Sequence, residues 1–140
     1  MSENFQNPLV SIIVLNYNAG DLLVNCVKSL YDTSYNNYEI IVVDNASKDG
    51  SQKKCKERFD QIKLIENKEN LGYCEGNNVG IRHATGEFVV ILNPDTIVES
   101  NWITELILAY RKYGEGLYQP KIISLYEENI LQSTGNMLHI

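Results

Sequence analysis

The chain has 140 residues, of which 44% are apolar. This length and composition are sufficient for one domain with a single hydrophobic core. Its net charge of -6 and its pI near 4.9 argue against nucleic-acid binding, because such a surface needs basic side chains to neutralise phosphates. We therefore expect one domain over residues 1–140 and no nucleic-acid partner.

The amino-terminal stretch "MSENFQNPL" lacks the basic start and apolar run of a signal sequence. No run in the sequence approaches the roughly 18 consecutive apolar residues of a transmembrane helix. These features predict a cytoplasmic protein without a transmembrane segment. Cys26, Cys55 and Cys74 lie far apart and form no Cys-x-x-Cys pair, so we expect reduced thiols rather than disulfides or a zinc site.

The first half of the chain alternates predicted strands and helices. The run "LVSIIVLNYN" predicts a buried strand that ends where its apolar character stops, at Asn16. Apolar residues at helical spacing behind Asp21 predict a helix over residues 21–31, and "EIIVVD" predicts a strand over residues 39–44. The turn cluster "NASKDGS" follows, and then a helix over residues 52–60 with sparse apolar positions.

The second half continues the alternation. "IKLIEN" predicts a short strand over residues 62–67, and a glycine- and asparagine-rich stretch leads into a helix that ends near His83. After a turn at Gly86, "EFVVIL" predicts a strand over residues 87–92, and a helix follows over about residues 101–113. The remaining residues indicate two strands joined near residues 127–129.

This alternation predicts an α/β fold with right-handed βαβ units and a doubly wound, mostly parallel sheet. In such sheets ligands bind beyond the carboxyl ends of the strands, where the strand order reverses. Three predicted strands end in polar residues, namely Asn16-Tyr17-Asn18, Asp44-Asn45 and Asn93-Pro94-Asp95. These strand ends are therefore the first candidates for a binding site.

Asp44 and Tyr17 each have two interpretations. The carboxylate of Asp44 can accept hydrogen bonds from a ribose hydroxyl or from a base N–H, as in nucleotide-binding sheets. It can equally cap the turn "NASKDG" through its own backbone. The ring of Tyr17 can stack on a base or simply pack against the protein. The sequence alone does not choose between these roles.

The stretch "NLGYCEGNNVG" spaces Gly72, Gly76 and Gly80 four residues apart, which stacks the last two on one helix face. It matches neither the G-x-G-x-x-G fingerprint nor a phosphate-binding loop with a lysine. Close packing of a helix on the sheet is therefore the favoured reason for Gly76 and Gly80. Asn77 and Asn78 are poor helix formers, and their early placement makes sense if their amides or the helix amino end face a polar ligand.

The motif "NPDT" directly follows the apolar run Phe88–Leu92. Pro94 fixes its own φ and pushes Asn93 towards an extended conformation, so Asp95 is presented rigidly at the rim of the sheet. An oxygen-only site of this kind suits Mg²⁺ or Mn²⁺, although one carboxylate is too few and a ligand has to supply further oxygens. The alternative is a simple Pro-Asp turn that leads into the helix after Ser100.

Several segments, in this order, resemble consecutive blocks of one enzyme family. They are "VSIIVLNYN", "EIIVVDNASKDGS", "ENLGYCEGNNVGIRHATGEFVVILNPDT", "QPKI" and "ILQSTGNM". Together they resemble the family-two glycosyltransferases, in the rhamnosyltransferase-like branch. The resemblance spans nearly the whole chain. It implies the GT-A fold of nucleotide-diphospho-sugar transferases, truncated on its acceptor side.

The resemblance also assigns residues to the donor site. Those that would bind the nucleotide are Asn16, Tyr17, Asn18, Asp44, Asn70, Gly72, Asn77 and Asn93. Asp44 would contact the base or ribose. Asn93 to Asp95 stands where the family carries its Asp-x-Asp motif, with Asp95 facing the divalent cation and Asn93 departing from the full motif.

The reaction that the resemblance implies is metal-dependent transfer of a sugar, with inversion, from a UDP- or dTDP-sugar to an acceptor hydroxyl. The cation, Mg²⁺ or Mn²⁺, would stabilise the departing nucleoside diphosphate. The general base is an acidic residue of the acceptor half in this family, so we expect it beyond Ile140 and assign no catalytic residue here. The acceptor, a saccharide, lipid-linked sugar or protein, stays open; a membrane-bound acceptor would place the protein at the membrane periphery.

Three functional hypotheses follow. In the first, the chain is mainly the donor-binding half of a glycosyltransferase and transfers sugar poorly alone. In the second, it is a non-catalytic nucleotide-sugar-binding or assembly module of the same fold that forms a homo-oligomer through its carboxyl-terminal strands. The third, a nicotinamide-dependent oxidoreductase, is disfavoured because the first strand leads into "NYNAGD" and not into a glycine fingerprint.

Overall fold

The structure is a computed structural model that describes residues 7–124 and 131–133. The chain divides into two compact units, residues 1–100 and residues 101–140. All residues predicted to bind the donor or the cation lie in the first unit. The single domain expected over the whole chain stays a prediction.

The first unit alternates strands and helices, as predicted. In chain order its elements are β1 (Val10–Asn16), α1 (Asp21–Tyr31), β2 (Tyr38–Asp44), α2 (Ser51–Arg58), β3 (Lys63–Glu66), α3 (Gly72–His83) and β4 (Phe88–Leu92). Their bounds lie within two residues of the predicted ones. Helix α2 stops short of residue 60 because Phe59 leaves the helical conformation, and its ring stacks on Tyr31 with 5.1 Å between the centroids.

The four strands form one parallel sheet in the order β3-β2-β1-β4. In the central strand β1, Ile12 lies opposite Ile40 of β2 and Val90 of β4, and every residue of β1 is buried. The strand order runs from β1 through β2 to β3 and then returns to the other side of β1. With right-handed crossovers this reversal places α1 and α2 on one face and α3 on the other. The predicted doubly wound α/β sheet is confirmed.

Strand β4 is less buried than its apolar composition suggests. Val89 and Ile91 are 43% and 44% exposed, and they alternate with partly buried Phe88, Val90 and Leu92 because successive side chains point to opposite faces. β4 is the outer strand of the four-stranded sheet. Among the described strands, β4 has a hydrogen-bonded neighbour on one side only, so it buries less surface than β1 with the same kind of sequence.

Two glycines allow α3 to lie close to the sheet. A Cβ atom at Gly80 would be 2.5 Å from Ile13 Cγ2 and 3.1 Å from Val43 Cγ2, and one at Gly76 would be 2.6 Å from Leu15 Cδ1. Carbon atoms in contact prefer separations of about 3.5–4.0 Å. The predicted packing role of Gly76 and Gly80 is therefore confirmed, and it holds α3 against β1 and β2.

A hydrogen-bond cluster around Glu39 fastens the amino edge of the sheet. Glu39 Oε1 accepts hydrogen bonds from Ser11 Oγ (2.6 Å), Thr85 N (2.7 Å) and Thr85 Oγ1 (2.8 Å). Ser11 Oγ in turn accepts one from Gly86 N at 2.8 Å. Partial burial raises the pKa of Glu39, but the hydrogen bonds from Ser11 and Thr85 outweigh it and hold that pKa below its ordinary value. The segment that leaves α3 is thus tied to β1 and β2.

The described residues of the second unit form one helix and a strand pair. These are α4 (Trp102–Tyr113), β5 (Ile122–Ile123) and β6 (Leu131–Ser133), and β5 pairs with β6 antiparallel. The two predicted strands are confirmed, while the join expected near residues 127–129 lies outside the described residues. Of the helices in the described part of the chain, none has the length and apolar character needed to cross a membrane.

The substitution Gly80→Ala should destabilise the protein, because the added methyl group has to displace Ile13 or Val43. We expect the free energy of unfolding to fall by about 1–3 kcal/mol, the usual cost of overpacking a core. Urea denaturation measures this loss. Gly116→Ala is the control, since a Cβ atom there meets Tyr118 Cε2 at 3.9 Å. Equal losses in the two variants would contradict the close packing of α3.

Glu39 should make stability depend on pH. Because its folded pKa lies below the ordinary value of 4.5, its contribution is fully present above that pH and is lost as pH falls through the folded pKa. The Glu39→Gln variant should therefore lose part of the wild-type decline in unfolding free energy between about pH 5 and pH 3. Urea denaturation over this range measures both profiles, and parallel profiles would show that Glu39 is not coupled to folding.

Candidate functional site

Buried polar side chains join the carboxyl ends of β1 and β2. The register places Asn16 opposite Asp44, and these residues are 0% and 1% exposed. Asn16 Nδ2 donates to Asp44 Oδ1 at 2.7 Å and to Ser51 Oγ at 2.8 Å. Within the described residues, Asn16 Oδ1 has no hydrogen-bond partner. A buried acceptor of this kind requires a donor from a ligand or from water.

Asp44 also holds the turn that follows it. Its Oδ2 accepts a hydrogen bond from Ser47 N at 2.9 Å, the pattern of a turn stabilised by an aspartate side chain. Ala46 within this turn has a left-handed φ of 62°. The interpretation of Asp44 as a turn-capping residue is therefore confirmed. Both carboxylate oxygens of Asp44 thus accept a hydrogen bond within the protein. A contact of Asp44 with a base or ribose stays a prediction.

The loops after β1 and β2 are hydrogen-bonded to each other, and we call residues 16–20 and 44–51 the rim. Asn18 N donates to Ser47 Oγ (2.9 Å), and Asn18 Oδ1 accepts from Lys48 N (2.8 Å). Gly20 N donates to Asp49 Oδ2 at 2.9 Å. These bonds hold Asn18 in a left-handed conformation, with φ of 51°, which asparagine adopts more readily than most other residues. The two loops of the rim are thus joined by hydrogen bonds along the edge of the sheet.

Two side chains of the rim differ in what they offer to a ligand. Tyr17 is 53% exposed, so the protein covers about half of its surface and the other half is accessible for stacking. Asp49 accepts hydrogen bonds from the backbone N and the hydroxyl of Ser51. These bonds, assisted by that from Gly20, hold the pKa of Asp49 below its ordinary value. Asp49 therefore stays ionised at neutral pH and fastens the start of α2.

Asn45 links the rim to the loop before α3. Its Nδ2 donates to Gly72 O at 2.9 Å and to Asn70 Oδ1 at 3.2 Å. Asn70 Oδ1 also accepts from Gly72 N at 2.9 Å, so Asn70 and Gly72 are brought together beside the end of β2. Asn45 is not among the predicted donor-binding residues. The only signal for it in the sequence is its position at a strand end, directly after Asp44.

Asn77 and Asn78 differ in burial. Asn77 is buried and its Nδ2 donates to Tyr73 O at 2.9 Å, while its Oδ1 finds no partner among the residues described. Asn78 is exposed, and its Nδ2 donates to Glu75 Oε2 at 3.2 Å. Asn77 is therefore the one of the two that carries an unsatisfied buried acceptor, and its place in a nucleotide cleft stays a prediction.

The turn after β4 lies at the same edge as the rim, because β4 pairs with β1 in parallel. Asn93 and Asp95 are exposed. The turn is closed by a hydrogen bond from Thr96 N to Asn93 O at 3.2 Å. Helix α1 supports it from behind, where Cys26 Sγ donates to Asn93 O at 3.7 Å. Asp95 thus projects from a short supported turn, as the sequence predicts.

Asp95 is the carboxylate that this turn offers to a cation. In the described part of the chain, no three His, Cys, Asp or Glu side chains are grouped so as to hold a metal ion. A cation beside Asp95 would therefore need further oxygens from a diphosphate and water, an arrangement that Mg²⁺ and Mn²⁺ accept. Burial, followed by Cys55 and Asp95, raises the pKa of Cys26 to about 12, so Cys26 is not a thiolate ligand at neutral pH.

The parallel sheet gathers the predicted residues into three groups at one edge. They are Asn16, Tyr17, Asn18 and Asp44 in the rim, then Asn70, Gly72 and Asn77 in and before α3, and Asn93 and Asp95 after β4. Asn45 joins the first group to the second by hydrogen bonds. The third group is placed by the register of β4 with β1.

Sequence comparison identifies the family. The profile of the family described as Glycosyl transferase family 2 matches residues 11–135. The glycosyltransferase GlyG of Streptococcus pneumoniae is 35% identical over 101 residues, which are 70% of this chain and 34% of GlyG. The low-salt glycan biosynthesis hexosyltransferase Agl10 of Haloferax volcanii is 32% identical over 119 residues, 82% of this chain and 37% of Agl10. The chain thus spans about a third of the length of these curated relatives.

Solved structures share the fold. Mannosyltransferase PcManGT from Pyrobaculum calidifontis, in complex with GDP-Man and Mn²⁺, has a TM-score of 0.66 and 30% identity over 71% of this chain and 31% of its own. S. aureus TarS 1-349, in complex with UDP-GlcNAc, has a TM-score of 0.68 over 79% of this chain and 37% of its own. At 21% identity, TarS supports the fold alone. The chain belongs to glycosyltransferase family 2 and has the GT-A fold.

Proposed function

We propose that this chain binds the nucleotide-sugar donor of a glycosyltransferase that transfers the sugar, with inversion, to an acceptor hydroxyl. The observation that carries the proposal is the polar carboxyl edge of the sheet, where the rim, the loop before α3 and the turn after β4 meet in a chain of family 2. PcManGT, which is in complex with GDP-Man and Mn²⁺, supports a nucleotide-sugar donor and a divalent cation.

The rim binds the nucleoside in this proposal. The exposed ring of Tyr17 stacks on the base, and Asn16 and Asn18 border the nucleotide. Asp44 acts mainly by holding Asn16 and the turn at Ser47, since both of its oxygens already accept hydrogen bonds. A carboxylate has about four lone-pair sites, and two of those of Asp44 are occupied, so it retains capacity to accept a hydrogen bond from a base or ribose.

The start of α3 binds the other side of the nucleotide. Asn70 lines the cleft from the loop before this helix, Gly72 from its first turn and Asn77 from its second turn. The first backbone N–H groups of a helix have no intrahelical partners and carry partial positive charge. They are suited to an anionic group such as a diphosphate.

Asp95 holds Mg²⁺ or Mn²⁺ in this proposal, with Asn93 beside it. The bound cation supplies Lewis-acid stabilisation of the charge on the departing nucleoside diphosphate. Asp95 is suited to this task because its side chain is exposed and its turn is supported by Cys26. Transfer also requires a general base near the acceptor hydroxyl. We assign no residue of this chain to that role, and the base expected beyond Ile140 stays a prediction.

The alternative is a non-catalytic nucleotide-sugar-binding or assembly module of the same fold. Such a module would keep the packing of the rim and of α3 but would have no use for a cation at Asp95. The dependence of nucleotide binding on a divalent cation therefore separates the two functions.

Calorimetric titration of UDP, dTDP and GDP, with and without Mn²⁺, tests the proposal. We expect Mn²⁺ to tighten the binding of at least one nucleotide, and Asp95→Asn to weaken that binding about tenfold or more, which corresponds to about 1.4 kcal/mol. Glu99→Gln is the matched control, because it neutralises another exposed carboxylate four residues away. Binding that is the same with and without Mn²⁺ would favour the module.

The substitution Tyr17→Ala should weaken nucleotide binding without changing stability. Stacking of a base on an aromatic ring contributes about 1–3 kcal/mol, whereas removal of an exposed ring changes unfolding by less than about 0.5 kcal/mol. Tyr17→Phe keeps the ring and should bind like the wild type. Titration and thermal unfolding of the same samples measure both quantities. Equal affinity of the Tyr17→Ala variant and the wild type would rule out stacking.

A further inference from the structure

Asn45 is a buried residue whose side chain is fully engaged. It is 2% exposed and directly follows β2. Its Nδ2 group has two protons, of which one goes to Gly72 O at 2.9 Å and the other to Asn70 Oδ1 at 3.2 Å. Its Oδ1 accepts from Asn67 Nδ2 at 2.8 Å, and its backbone N donates to Asn16 O at 2.8 Å.

These bonds lead to separate parts of the sheet edge. Asn16 ends β1, Asn67 follows β3, and Gly72 begins α3. The backbone adds one more fastening, because Asn67 N donates to Asp44 O at 2.8 Å. We call residues 67–72 the bridge loop. Its path is therefore set by the backbone of Asp44 at one end and by the side chain of Asn45 along its length.

The first turns of α3 also depend on Asn45. Gly72 has a left-handed φ of 76°. It is held there by two hydrogen bonds, since its N donates to Asn70 Oδ1 and its O accepts from Asn45 Nδ2. A Cβ atom at Gly76 would lie 2.9 Å from Asn45 Nδ2. The helix therefore packs directly on the Asn45 amide, which fixes where α3 begins.

The chemistry of these contacts suits asparagine in particular. A single side chain has to donate two hydrogen bonds and accept one within a buried space. Aspartate has the same shape, but it would present an oxygen to the two acceptors Gly72 O and Asn70 Oδ1. It would also place a second carboxylate next to Asp44. Alanine would remove all three hydrogen bonds of the Asn45 side chain, those with Gly72 O, Asn70 Oδ1 and Asn67 Nδ2.

We propose that Asn45 is a positioning residue that fixes the bridge loop and the start of α3 against the ends of β1 and β2, and thereby sets the affinity of the site for the nucleotide. The link to affinity rests on the proposed donor-binding function, in which Asn70 and Gly72 line the cleft. Asn45 itself needs no contact with the ligand, because it acts through these two residues.

Hydrogen–deuterium exchange of the ligand-free protein tests the positioning role without reference to function. In Asn45→Ala we expect amide exchange in residues 67–73 to rise by about tenfold or more, while the amides of β1 change much less. Asn67→Ala removes one of the three side-chain bonds and should raise exchange in the same segment by a smaller factor. Asn67→Ala also serves if Asn45→Ala does not fold. The matched control is Asn37→Ala. Asn37 lies directly before β2, and its Nδ2 donates a hydrogen bond to Asn7 O.

Titration with UDP, dTDP and GDP in the presence of Mn²⁺ tests the consequence for affinity. We expect the Kd of the nucleotide that binds wild type to rise about tenfold or more in Asn45→Ala and to stay unchanged in Asn37→Ala. The titration is performed well below the thermal midpoint of each variant, so that only folded protein is compared. A purely structural Asn45 would lower that midpoint and leave the Kd of the folded protein unchanged.

The outcomes separate the two claims. Exchange that is unchanged in the bridge loop, or that rises equally in β1, would overturn the positioning role. Local exchange that rises while the Kd stays constant would overturn the link to affinity. If the wild type binds none of the nucleotides, the proposed function fails for this chain, and the exchange comparison still decides whether Asn45 positions the bridge loop.

Discussion

The hydrogen bond between Asn16 and Asp44 depends on the parallel pairing of β1 and β2, which end at the same register position. The pairing brings an amide and a carboxylate together in a buried place, where each supplies a hydrogen bond that the other needs, because burying a polar group without its partner costs free energy. Ser47 and Ser51 complete the shell around this pair. The loops of the rim and the start of α2 are therefore positioned by two residues that do not themselves lie at the surface.

Helix α3 is held at its start, in its middle and just beyond its end, and the kind of contact differs between the three places. At its start Asn45 provides hydrogen bonds and close approach to Gly76. In its middle Gly80 allows direct packing on Ile13 and Val43. Beyond its end, Thr85 is bonded to Glu39 at the opposite edge of the sheet. A helix fastened in this way loses little freedom when a ligand binds at its amino end, and such preorganisation favours affinity.

The sequence predicted those features that depend on local pattern. Apolar runs bounded by polar residues located the strands, and the four-residue spacing of Gly76 and Gly80 indicated their packing. The partners of the Asn45 side chain lie between 22 and 27 residues away along the chain, so no local pattern reveals them. The turn that Asp44 holds contains a left-handed backbone at Ala46. Alanine rarely adopts this conformation, so the sequence does not indicate it there. The exposure of β4 depends on strand order, which composition does not determine.

The half-exposed outer strand β4 bears on the behaviour of the protein in concentrated solution. Its five residues, "FVVIL", include no charged residue and no proline, the usual devices by which proteins prevent edge-to-edge strand pairing. Mutual repulsion between copies must come from the net charge of -6 carried by the whole chain. At an ionic strength of 0.1 M this repulsion is screened beyond about 10 Å. Colloidal stability should therefore be greatest in dilute buffer, and added salt should favour association between copies.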